Sequence, residues 1–373
     1  MTAVLERPVT PDAPPRPALA AVPSTPTTPL THAQVEELGA KLDALREEVL
    51  ASRGEADAAY IRSVIKAHRT LEVAGRGLLF AGILPPAWIA GTACLSAAKI
   101  LENMELGHNI LHGQWDWMRD PEIHSSTWEW DTMSPSDSWK RTHNYEHHTF
   151  TNVVGKDRDV GYGILRMSEE QRWNPYYLGN PVYNVLLSLF FQWGVALHDV
   201  EVEKVLSGER SKAEAWHTLK AIGRKVRKQF TKDYLVFPAL AGPFFAPVLL
   251  GNLTSNLVRN VWSHAIIFCG HFPDGAVQFE EEQLEGETRG QWYVRQMMGS
   301  ANLDGGPLFH LMSGNLSFQI EHHLFPDLPS NRYAELSPKV RALCEEYGIE
   351  YTSGPLGKQY LQVLRRINRL ALP

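Results

Sequence analysis

Hydrophobic positions along the chain gather into a few long runs, separated by polar, histidine-rich stretches. Thr31 followed by Gln34 has the form of a capping box, and Val35, Leu38, Leu42, Leu45 and Val49 then recur at spacings of three and four. This predicts a helix with one apolar stripe, packed on the rest of the protein rather than anchored in a bilayer. Residues 77–98 form 22 positions without a charge, roughly 33 Å as helix and about one hydrocarbon thickness. Pro85 and Pro86 interrupt the run, so it is either one span or the meeting point of two. Residues 174–197 are also uncharged, but Asn174, Asn180, Asn184 and Gln192 suit an interfacial position.

Residues 234–273 carry the clearest membrane pattern: 40 positions with one arginine, Arg259, and two histidines, His264 and His271. As helix they would measure roughly 60 Å, about twice the hydrocarbon thickness. They predict a hairpin of two spans turning near residues 252–256. Arg210, Lys212, Lys220, Arg224, Lys225, Arg227, Lys228 and Lys232 precede the hairpin and place that side in the cytoplasm by the positive-inside rule. A two-span hairpin returns the chain to the side it left, so the flanking segments share that side. The expected architecture is an all-α integral membrane bundle of about four transmembrane helices, with a cytoplasmic helical cap.

Composition modifies this picture in three places. Eight prolines within residues 1–30 predict a disordered tail, leaving residues 31–373 as one domain. The net charge of -6 excludes a basic nucleic-acid footprint, so no nucleic-acid partner is expected. Cys94, Cys269 and Cys344 are far apart and suggest neither a disulfide framework nor a thiolate zinc site. The N-terminus also lacks the basic-then-apolar pattern of a secretory signal.

The candidate chemistry lies in the histidines, of which there are 15. His108 and His112 stand four apart in GHNILHGQWDWM; His143, His147 and His148 form HNYEHH; His322 and His323 close GNLSFQIEHHLFP. On a helix, residues four apart share a face, so His108 and His112 can address one site. His143 and His147 have the same relation, and His148 points about 100° away, so an adjacent pair can serve two neighbouring metals. Seven or more imidazoles exceed the four ligands of a structural zinc and argue for two metals. Gln319 stands where a third histidine of the last cluster would fall and can offer a weak oxygen ligand or hold a water. His264 and His271 share a face of the hairpin's returning helix, with His271 nearer the other clusters. Glu105, Glu146, Asp157, Asp159 and Glu321 are candidate orienters of the imidazoles. His32, His68, His124, His198, His217 and His310 have an ordinary structural reading.

HxxxH, HxxxHH and QxxHH, divided by a hydrophobic hairpin, resemble the membrane fatty acid desaturase family over residues 75–335. The runs MELGHNILHGQWDWM and GNLSFQIEHHLFPDLP are especially similar to actinobacterial acyl-CoA or acyl-lipid desaturases. The resemblance implies two iron ions, O2 as co-substrate, and a cis double bond introduced into a long acyl chain, with delta-9 the position expected first. It carries His108, His112, His143, His147, His148, His322 and His323 over as catalytic iron ligands, with His271 as the extra histidine at the end of the hairpin. Gln319 departs from the commoner histidine, as in front-end desaturases, and leaves the regiochemistry open. No HPGG haem motif is present, so a separate electron donor of ferredoxin or flavin oxidoreductase type is implied. The implied setting is the bacterial cell membrane, with the clusters on the cytoplasmic side and membrane lipid as a partner. Trp115, Trp117, Trp128, Trp130 and Trp139 are candidate channel residues. The alternatives are a lipid or alkane hydroxylase of the same superfamily, and a non-catalytic membrane protein that binds metal or haem.

Overall fold

The structure is a computed structural model that describes residues 30–373. The expected proline-rich tail lies outside these residues except for Leu30, which is buried in the cap core. The capping box forms: the Thr31 amide donates to Gln34 Oε1 at 2.9 Å, and Thr31 Oγ1 accepts from the Gln34 amide at 3.3 Å. The helix that follows, His32–Ser52, buries Val35, Leu38, Leu42 and Val49. They pack in one core with Tyr293, Met297, Phe325 and Leu336, so the predicted stripe docks onto the C-terminal half of the chain.

Residues 77–98 prove to be the meeting of two helices. Glu55–Phe80 ends before a short turn, and Pro85–Leu101 begins there with proline in its first turn. The two helices pack closely because glycines face each other. A Cβ on Gly75 would sit 2.8 Å from the Leu95 nitrogen, and one on Gly91 would sit 3.0 Å from the Leu79 nitrogen.

The second hairpin forms, but its turn is not at residues 252–256. Lys212–Phe230 continues through a π-helical turn, Thr231–Val236, to Phe237–Leu240. The chain reverses at Gly242–Phe244, where Gly242 takes φ +56°, and returns as Phe245–His271. The asparagines that suggested the turn point inward: Asn252 Nδ2 donates to the Asp233 carbonyl at 2.5 Å and Asn256 Nδ2 to Tyr234 Oη at 2.9 Å. A polar residue in an apolar run here marks a buried partner, and the Gly-Pro pair marks the turn.

Both turns lie at one end of the bundle, as the Trp88 Nε1 bond to the Pro247 carbonyl shows at 3.0 Å. Higher up, Ser255 Oγ donates to the Thr92 carbonyl at 3.2 Å and Asn103 Nδ2 to Ser263 Oγ at 2.9 Å. Pro85–Leu101 and Phe245–His271 therefore rise in parallel and deliver His108 and His271 to the same layer. Between the turns and that layer, buried Asp233 pairs with Arg76 at 2.9 Å and Lys99 at 2.8 Å.

The all-α expectation holds, apart from a short parallel ladder of Asn302–Asp304 with Ser353–Pro355. Among the described residues no single helix is long and apolar enough to cross a membrane. Within Phe245–His271, for example, the buried Asn252, Ser255, Asn256, Arg259 and Asn260 break the apolar run. One pair, Pro175–Leu189 with Phe191–Ser207, meets the test together but is bent by 100°. This is the segment whose asparagines suggested an interfacial position.

A candidate metal centre of converging imidazoles

Two of the three histidine clusters begin on π-helical turns, with His112 and His148 just beyond them. Pro85–Leu101 widens into Glu102–His108, and Lys140–His147 is π-helical throughout. The extra residue per turn re-aims side chains, which is why such turns recur at functional sites. The third cluster lies on the short helix Gln319–Leu324, and His271 closes the returning hairpin helix.

Seven of these histidines form two groups. His108, His112, His143 and His322 make the first, and His147, His271 and His323 the second; within each, one ring nitrogen per residue lies within 4.8 Å of the others. His148 stands between them, its ring 4.6 Å from that of His112 and 4.4 Å from that of His323. The HNYEHH cluster thus serves both groups, as the sequence suggested: His143 joins the first and His147 the second, while their rings stay stacked at 4.8 Å and form a further group with Asp159.

The ring nitrogens show why the arrangement suits a cation. His143 Nδ1 meets Asp159 Oδ2 at 3.0 Å, and His147 Nδ1 meets Asp157 Oδ2 at 2.9 Å. His323 Nδ1 lies 3.1 Å from Gln296 Oε1, an acceptor. With the proton on Nδ1, each of these rings turns a bare Nε2 lone pair inward. Those Nε2 atoms are buried without a partner, as is Nε2 of His112 and both ring nitrogens of His148. His108 Nε2 and His322 Nε2 stand only 3.1 Å apart. Buried acceptors clustered without donors are costly, and a shared cation relieves the cost. Burial, reinforced by neighbouring imidazoles, holds His148, His322 and His323 well below the usual imidazole range. These rings are neutral, the form that ligates metal. For His147, burial lowers the pKa, but the Asp157 and Asp159 carboxylates outweigh it and raise it. The donor set therefore fits a pair of transition-metal ions.

The remaining candidates separate by geometry. Gln319 Nε2 lies 3.0 Å from His271 Nε2, and its Oε1 is buried and unpartnered. A half-turn of the amide about its last side-chain bond turns the carbonyl toward the second group. His264 is not brought to either group: it stacks on Phe268 at 4.0 Å, with both ring nitrogens unpartnered. Of the candidate orienters, Asp157 and Asp159 hold imidazoles. Glu105 instead accepts from Tyr60, Asn315 and Ser330, Glu146 from Lys204, and Glu321 from Tyr351 and Asn302. Gln296 was missed, and so was His198, whose Nε2 lies 3.2 Å from Asp159 Oδ1. Neither has a local sequence signal, because each acts across a fold contact.

A small cavity of about 40 Å³ opens beside the first group, where His108 and His143 form part of its wall. Met104, Trp130, Trp139, Tyr162, Phe191 and Ile267 give it an apolar lining, and Gln192, Arg259 and Asn260 add polar groups. Of the five candidate channel tryptophans, Trp130 and Trp139 line it; Trp115, Trp117 and Trp128 pack in a core with Ile61 and Leu106.

Comparison with known proteins agrees with this geometry. The family profile described as fatty acid desaturase matches residues 85–355. The chain belongs to the fatty acid desaturase family. The match takes in all eight histidines and the cavity. The chain is 51% identical over 348 residues to an NADPH-dependent stearoyl-CoA 9-desaturase of Mycobacterium tuberculosis, covering 92% of this chain and 82% of that protein. It is 27% identical over 290 residues to the sn-1 linoleoyl-lipid 6-desaturase of Synechocystis, covering 75% and 79%. This desaturase is thus an oxidoreductase acting on acyl chains, and its histidine groups can bind metal.

Proposed function

We propose that this desaturase introduces a cis double bond at the delta-9 position of a long-chain acyl-CoA, using two iron ions held by the histidine groups. The observation that carries this reading is the convergence of buried, unpartnered ring nitrogens in two adjacent groups. The delta-9 position and the CoA carrier come from the similarity to the mycobacterial stearoyl-CoA 9-desaturase.

His108, His112, His143 and His322 would hold one iron. His147, His271 and His323 would hold the other, with Gln319 as an oxygen ligand or the seat of a water, and His148 would complete the set between them. Bound iron supplies activation of O2 for hydrogen removal from an unactivated methylene. The protein contributes position and environment. Asp157, Asp159 and Gln296 fix the tautomers and orientation of His147, His143 and His323. The apolar residues of the cavity wall can contact the methylenes of a chain that offers no polar handle and keep water from them. Trp139, stacked on His143 at 4.4 Å, sets one side of the chain's path past the first group.

The two hairpins would enter the cytoplasmic membrane with their turns leading. Exposed Leu78, Phe80, Ile83, Leu84, Leu240 and Phe244 surround the turns, where lipid would cover them. The histidine layer and cap would lie on the cytoplasmic side, reached by a separate electron donor of ferredoxin or flavin oxidoreductase type.

The test is product analysis. Membranes containing the protein, supplied with stearoyl-CoA, NADPH and a reductase fraction, should give the 9-monoene by chromatography and mass spectrometry, and His147→Ala should give none. A hydroxylated chain without alkene would overturn the reading in favour of a hydroxylase.

A further inference from the structure

The Lys212–Phe230 helix divides its cations into two sets. Lys225 pairs with Glu129 and, just beyond the helix, Lys232 pairs with Asp131 at 2.6 Å, both fastened to the loop beside the cavity. Arg224, Arg227 and Lys228 project from the exposed side and make no ion pair or hydrogen bond among the described residues. At spacings of three and four they share a face. With Thr231, Lys232 and Val236 they line an open groove whose wall contains no carboxylate.

The position of this groove bears on what would occupy it. Exposed Phe230, Leu235 and Val236 follow directly, leading down to exposed Leu240 and Phe244 at the turn. The unpaired cations therefore stand at the upper edge of an apolar surface, where a bilayer's phosphates would meet its acyl chains. A second groove, on the Glu55–Phe80 helix, gives a comparison. It contains Arg62, Lys66, Arg69 and Thr70, but Asp120 and Glu122 share its wall, and Arg62 lies 3.6 Å from Asp120. Its charge is partly cancelled on its own wall, whereas Arg224, Arg227 and Lys228 of the first groove are left for a ligand.

We propose that Arg224, Arg227 and Lys228 form a binding site for the phosphate headgroup of an anionic membrane phospholipid. The guanidinium groups and the ammonium take the phosphodiester, and Phe230 and Val236 lie against the upper acyl chain. Because Lys225 and Lys232 anchor the same helix to Glu129 and Asp131, the bound lipid steadies the wall beside the cavity. The inference rests on the membrane placement proposed above.

The full-length protein, loaded with iron, is reconstituted into phosphatidylcholine vesicles with or without phosphatidylglycerol, and retained lipid is measured by native mass spectrometry. Phosphatidylglycerol should be retained selectively, and raising the salt should reduce the selectivity. The triple variant R224Q/R227Q/K228Q should bind it roughly a hundredfold more weakly, from about fivefold per cation. K66Q/R69Q should change retention far less. Equal retention of both lipids, or an unchanged triple variant, would overturn the site. Displacement of phosphatidylglycerol by inorganic phosphate would overturn the lipid assignment in favour of a simple anion site. Failure of the wild type to enter even phosphatidylcholine vesicles would instead overturn the membrane placement. Circular dichroism and iron content of the triple variant should match wild type, because none of the three side chains has a partner to lose.

Discussion

The histidine layer and the charged layer beneath it both bury polar groups at the centre of the helices, yet they solve the burial problem in opposite ways. In the lower layer Asp233, fully buried, gathers Arg76, Lys99 and the Asn256 amide, so each charge faces its counter-charge. In the upper layer carboxylates and an amide take the outer nitrogens of His143, His147 and His323, and the inner nitrogens of these rings have no donor. A closed set of partners holds helices in register. An open set pointing at a common centre is built for something the protein binds.

This contrast breaks most visibly at the imidazoles themselves. His322→Ala, in the first group, should reduce product to background and lower the iron content. Asp157→Asn keeps the shape but weakens the hold on the His147 ring, and should cost about 10- to 100-fold in activity or metal affinity. In the lower layer the effect should appear in stability instead. Asp233→Ala leaves Arg76 with Glu72 and Asn252 and Lys99 with Asp131 at 3.6 Å, and should cost about 3 kcal/mol in denaturant unfolding, the low end for a broken buried pair, while activity per bound iron stays near wild type. The smallest effect belongs to His264. It is buried and makes no hydrogen bond, so His264→Leu should leave iron content and product unchanged. A loss of iron there would move His264 into the centre and blur the distinction.

The sequence made much of this layout legible because its strongest signals are local. Four-residue histidine spacing, adjacent pairs and the apolar stripe of residues 35–49 depend only on helical geometry, and each appears where expected. The hairpin was legible too, but not its turn. Asn252 and Asn256 read as turn residues until Asp233 and Tyr234 are seen opposite them, whereas Gly242-Pro243 carried the correct signal within an apolar run. That His143 and His147, though stacked on each other, also join different groups was hidden because it depends on a π-helical turn, which no simple periodicity announces. Gln296 and His198 were hidden for another reason: their partners lie 27 and 39 residues away along the chain. Asp157 and Asp159, close to their imidazoles in sequence, could be named in advance.

The central claim is that the two groups of imidazoles hold two irons. Elemental analysis of the purified full-length protein, with an optical spectrum of the same sample, tests it most directly. The account predicts about two irons per chain, no Soret band, and a clear loss of iron in both His143→Ala and His271→Ala, one variant from each group. One zinc per chain, a haem spectrum, or full iron retention in either variant would contradict it.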